Sequence, residues 1–115
     1  MKKLTIYRPE WLHGEGAKSC LLRSSDNKSC CIGIWARQLL GFTDKQLANL
    51  KTMETLSCTG DHIRIRIPEW VFGNYGATVG KFYYYNDTQS ISEEHREAML
   101  TELFAAHGIE VEFTG

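Results

Sequence analysis

His62-Ile63-Arg64-Ile65-Arg66-Ile67 is the stretch on which the fold turns. Its isoleucines alternate with His62, Arg64 and Arg66, the two-residue period of a strand with one face buried. Phe82-Tyr83-Tyr84-Tyr85 is the next determinant, because aromatic residues favour strands and Asn86-Asp87-Thr88 behind them reads as a turn. Taken as two strands, these stretches make a sheet the framework of the domain.

The flanks extend that reading. Leu4 and Ile6 alternate with Thr5 and Tyr7 until Pro9 stops the ladder. Residues 19–23 are a further strand candidate. Ile109, Val111 and Phe113 alternate with Glu110 and Glu112 in a last strand. A helix is expected over about residues 30–40, with Ser29 as N-cap and Gly41 as the left-handed residue that ends it. Thr43-Asp44-Lys45-Gln46 has the capping-box pattern and opens a short helix to about Leu50, and residues 51–60 read as loop. Ser92 caps a long helix to about His107, with Glu93 and Glu94 in its first turn and Met99, Leu100, Leu103 and Phe104 as its apolar stripe. The expected fold is α+β: a single domain over residues 1–115, with a mainly antiparallel sheet of four to six strands. The long C-terminal helix and the shorter helix of the N-terminal half pack on it.

Composition narrows the function. With 43% hydrophobic and 23% charged residues, the chain of 115 residues has the make-up of an ordinary globular domain. A net charge of −1 argues against gripping extended duplex nucleic acid. No apolar run reaches membrane-spanning length, and Thr5, Arg8, Pro9 and Glu10 interrupt any signal-peptide core. A cytoplasmic location, with the four cysteines reduced, is the expectation.

Candidate sites follow from the same segments. If the Ile-Arg stretch is a strand, Arg64 and Arg66 put two guanidinium forks on one sheet face beside His62, a geometry suited to phosphate or carboxylate. Tyr83 and Tyr85 of a neighbouring strand would add stacking surfaces for a nucleobase. The plainer alternative is a solvated face with cross-strand Arg–Tyr pairs. Pro9-Glu10-Trp11-Leu12-His13-Gly14 is echoed by Pro68-Glu69-Trp70-Val71-Phe72-Gly73, each followed by Gly-Ala. Trp11 and Trp70 therefore line a two-sided site, or each simply caps the core at a strand exit. Cys31, at the start of a helix, is a candidate nucleophile with a histidine as base, or a small core residue sharing a face with Trp35 and Leu39. Cysteine pairs at zinc spacing are missing, and Gly14-Glu15-Gly16-Ala17-Lys18-Ser19 lacks the glycines of a phosphate loop. Neither a metal nor a cofactor is expected.

Three stretches carry a family resemblance. They are Trp11-Leu12-His13-Gly14-Glu15-Gly16, then Leu21 through Gly33 with Cys30-Cys31-Ile32-Gly33 at its end, then Asn86-Asp87 leading to Glu94-His95-Arg96-Glu97-Ala98 and Gly108-Ile109-Glu110-Val111-Glu112-Phe113. In that order the chain resembles small proteins encoded by tailed phages and prophages, over roughly its first and last thirds. The resemblance implies a context, a small phage product in the host cytoplasm, and no catalytic residue. The expected function is a binding protein that interferes with a host process. Its partner is either a small anionic, nucleotide-like ligand or a host protein, and self-association into a homo-oligomer is kept open. The alternatives are a cysteine-dependent enzyme using Cys31, and an assembly protein of the virion or its DNA machinery.

Overall fold

The first and last segments of the chain pair with each other. In the computed structural model, which describes residues 1–72 and 76–115, Lys2–Tyr7 (β1) and Ile109–Thr114 (β2) form a parallel ladder from Lys2↔Ile109 to Tyr7↔Thr114. Leu4 and Ile6 are fully buried, so the alternation at the N-terminus places its apolar side in the core. The expected mainly antiparallel sheet of four to six strands is not formed: among the described residues there is one sheet, of these two parallel strands. Residues 19–23 make only isolated bridges, Leu22 with Ala48 and Arg23 with Lys28. Parallel strands need a long crossover, and here nearly the whole chain serves as one. The outer edge of β1 is closed by a side chain: Gln38 accepts from Thr5 N–H (3.1 Å) and donates to Thr5 C=O (2.7 Å), as a neighbouring strand would.

Helices build the rest. Cys31–Leu40 (α1) is apolar on all sides over its first half, with Cys31 to Ala36 all buried, the pattern of a helix in the centre of a core. It ends at Gly41, whose φ of 74° requires the left-handed region. Asp44–Leu47 (α2) carries the full capping box between Thr43 and Gln46. Met53–Ser57 (α3), capped by Thr52, occupies the stretch expected to be loop.

Asp61–Arg64 (α4) and Gly76–Asp87 (α6) replace the two central strands of the sequence reading. The Ile-Arg stretch satisfies two periods at once. Ile63 and Ile67, four residues apart, are buried, while Ile65 between them is 82% exposed. A strand would have buried all three, and among the described residues no strand lies alongside to pair with it. Over residues 79–87 of α6, Val79, Phe82 and Asn86 are the buried positions, at spacings of three and four, and Tyr84 is exposed. Helical period overrides aromatic β preference because the stripe faces three partners: α1, Glu69–Phe72 (α5) and Glu93–Ala105 (α7). In α7, Ser92 caps the start and Arg96, Leu100 and Phe104 form the buried stripe.

One side chain ties these elements together. Asn86, fully buried near the end of α6, accepts through Oδ1 from Trp11 Nε1 (2.8 Å) and from Cys31 N–H at the start of α1 (2.9 Å). Its Nδ2 donates to Leu12 C=O (2.9 Å) and to the Asp87 carboxylate (2.8 Å). Its main-chain oxygen accepts from Gly14 N–H (2.8 Å) and from Arg96 Nη1 (3.1 Å). Arg96, 1% exposed, also donates to Tyr85 C=O (2.7 Å) and Ile91 C=O (3.1 Å), so a buried cation caps the last carbonyls of α6.

Replacing Asn86 by Ala leaves Trp11 Nε1, Cys31 N–H and Leu12 C=O buried without partners. At about 1–3 kcal/mol for each orphaned group, the expected loss is about 3–5 kcal/mol in urea denaturation. A loss below about 1 kcal/mol would remove Asn86 from its central place. Gly33→Ala tests the close approach of α1 to residues 20–22: an added Cβ would meet Leu21 O at 1.9 Å. That clash is with main chain, so a lower melting temperature is expected, equivalent to about 1–3 kcal/mol or more.

Candidate functional site

The far end of α1 opens a cleft of about 500 Å³. Trp35, Leu39 and Leu40 line one side of it, Trp70 of α5 another, and His107 beyond α7 together with Lys2 of β1 complete the walls. Local sequence places each of these. Trp35 and Leu39 follow one another around α1 at spacing four, Pro68 starts the turn into α5, and Gly108, with φ 76°, turns the chain from His107 into β2. Trp70 and His107 stack nearly parallel, with centroids 4.1 Å apart at 12°, and Trp35 lies 5.1 Å from Trp70. Burial pushes the His107 imidazole below its ordinary value, which favours the neutral ring. Lys2 brings a positive charge to an otherwise aromatic and aliphatic wall, the composition of a small-molecule site.

The residues singled out in the sequence are dispersed. Arg64 and Arg66 share no sheet face, because Arg64 ends α4 and Arg66 lies in the turn that follows it. Arg64 lies over the Phe72 ring (4.3 Å) and Arg66 over the Phe42 ring (4.1 Å), and Arg66 Nη2 also donates to Leu40 C=O (2.9 Å) at the end of α1. His62 is exposed on α4. The Tyr83 hydroxyl accepts from Met53 N–H (3.1 Å), and burial raises its pKa. Tyr85 packs edge-on against Tyr84 and His95. Neither tyrosine supplies a ring on which the two guanidiniums stack.

The two Pro-Glu-Trp copies also part. Trp11 is buried, stacked on His13 at 3.8 Å and bonded to Asn86, whereas Trp70 is half-buried in the cleft. The first copy leaves β1 and the second follows α4, so they do not face each other as strand exits. Gly73 of the second copy lies outside the described residues.

Cys31 is fully buried. Desolvation drives its thiol well above the ordinary value and that of Cys30 up to about 12. The helix start that would have favoured a thiolate is already occupied, since Asn86 Oδ1 takes the Cys31 N–H. Among the described residues no three His, Cys, Asp or Glu side chains stand together as metal ligands. The sequence gives no sign of Lys2, Trp35, Leu39 and Leu40 as cleft residues and marks His107 only as the end of the long helix. No local signal brings residue 107 onto residue 70. Compared with protein-family models, curated proteins and solved structures, the chain matches none.

His107 makes a pH prediction with a definite sign. Its folded value lies below the ordinary 6.5, so the folded state binds fewer protons than the unfolded chain. The contribution is therefore fully present above about pH 6.5 and is lost as pH falls through the window beneath it. Thermal denaturation of the wild type should lose stability over that window, and His107→Gln should flatten the loss. Equal slopes for the two proteins would contradict the assignment.

Proposed function

We propose that this chain is a binding protein that holds a small, flat, anionic ligand of nucleotide type in the cleft between Trp35, Trp70 and His107. The observation that carries the reading is the Trp70–His107 stack on the wall of a 500 Å³ cleft with Lys2 at its margin. Pockets for small ligands run to roughly 300–1,000 Å³, and at about 500 Å³ this cleft falls in that range, with polar as well as apolar groups on its walls. Aromatic faces take the flat part of the ligand and the Lys2 ammonium takes its phosphate or carboxylate. The buried, protonated state of Cys31 favours binding over thiol catalysis. In the phage setting that the sequence resemblance implies, capture of this kind would draw a nucleotide-type signal away from a host process.

Tryptophan fluorescence tests the reading directly, because Trp35 and Trp70 both line the cleft. Titration with adenosine and guanosine monophosphates should give saturable quenching. Trp70→Ala should weaken binding by about 1–3 kcal/mol, roughly ten- to a hundredfold in Kd. Lys2→Ala should remove most of the dependence on ionic strength. Quenching that does not saturate, or that is unchanged in Trp70→Ala, would count against the cleft.

A further inference from the structure

The two edges of the sheet are treated differently. In the parallel register, Lys2, Leu4 and Ile6 direct their main-chain groups at β2, beginning with Lys2 N–H to Gly108 C=O at 3.2 Å. Thr5, which faces the other way, is closed by Gln38. On β2 the same alternation points Glu110, Glu112 and Thr114 at β1 and leaves the N–H and C=O groups of Ile109, Val111 and Phe113 on the outer edge. Among the described residues those outer groups have no hydrogen-bond partner. Ile109 itself is buried, but Val111 and Phe113 are partly exposed, and backbone polar groups without a protein partner are ordinarily hydrated, so the edge is open from Val111 onward.

The side chains along that edge select what can join it. Glu110 and Glu112 are exposed on one side of β2, and on the β1 side Lys3 already pairs with Glu112 at 2.8 Å. Val111 and Phe113 are half-buried on the opposite side, where Trp11 lies 5.2 Å from the Phe113 ring. We infer that the outer edge of β2 is a docking edge for an extended segment of a protein partner that alternates lysine or arginine with apolar residues. Such a segment places its cations beside Glu110 and Glu112, continuing the pairing begun by Lys3, and its apolar residues beside Val111 and Phe113. A second copy of this chain is the wrong occupant. Antiparallel pairing of β2 with itself about Val111 sets Glu110 directly opposite Glu112 of the other copy, twice, and like charges in that position repel.

The full-length protein and two synthetic peptides test this inference, one peptide alternating lysine with valine and the other glutamate with valine. The lysine peptide should slow amide hydrogen exchange at Val111 and Phe113 by about tenfold or more while Glu110 and Glu112, already bonded to β1, keep their rates. The glutamate peptide should have no effect. Val111→Pro removes an outward N–H and leaves the bonds to β1 in place, so it should abolish the response with the β1–β2 ladder intact. Glu110→Lys, which keeps Glu112 for Lys3, should reverse the preference between the peptides. Any of four results would overturn the inference: Val111 and Phe113 amides already protected in the free protein, equal response to both peptides, an unaltered response in both variants, or a wild-type dimer in sedimentation that protects these amides.

Discussion

The carboxamide of Asn86 is the constraint on which the other contacts rest. It is a donor and an acceptor on one short, rigid group, and the buried site uses both. Oδ1 takes N–H groups from Trp11 and from the start of α1, and Nδ2 satisfies Leu12 C=O. An aspartate would supply the acceptor and lose the donor, and a leucine would fill the space and strand three polar groups. Through this side chain and its own carbonyl, the loop after β1, the start of α1, the end of α6 and the Arg96 turn of α7 are held at one point. Residues from four separate stretches, Trp11 to Gly14, Cys31, Asn86-Asp87 and Arg96, meet there. Their first role in this chain is therefore to hold the fold.

That knot also works against a reactive Cys31. A helix start with free N–H groups favours a thiolate, but here a long-range side chain has replaced the local cap. Cys30 is the N-cap and makes no side-chain cap bond, and the hydroxyl of buried Ser29, the expected cap, has no partner among the described residues. Asn86 takes the first of those donors, and desolvation outweighs what the Ile32 and Gly33 N–H groups offer the sulfurs, so both thiols are pushed above their ordinary value. Asp87, beside the knot, follows the same rule: burial raises its carboxyl despite the nearby Asn86, Ser19 and Arg96.

The two surfaces proposed for binding border each other at the start of β2. Ile109 lines the cleft and precedes the open edge, and Lys2, its partner in the ladder, contributes the cleft's positive charge. Arg64 and Arg66, which carried the first idea of an anion site, are engaged instead with Phe72 and Phe42, and Arg66 holds the end of α1 that shapes the cleft through Leu40. Arg66 bears on the cleft only through that hydrogen bond, and Arg64 does not line it.

Local signals were legible wherever one residue type answers one local need. Gly41 and Gly108 supply positive φ, Thr43 with Gln46 closes a capping box, Ser92 caps α7, and the alternation of Leu4 and Ile6 and of Ile109, Val111 and Phe113 marks true strands. Those features depend on neighbours within four residues, so the sequence by itself determined them. The segment 62–67 was ambiguous because Ile63 and Ile67 satisfy a period of two and a helical spacing of four alike, and only Ile65 distinguishes them. That choice depends on whether another strand lies alongside, and among the described residues none does. The parallel pairing of residues 2–7 with 109–114, the Asn86 knot and the stacking of Trp70 on His107 join residues tens of positions apart. Only the tertiary structure decided them, because the free energy that selects such contacts comes from burial and hydrogen bonding among segments that no local pattern connects.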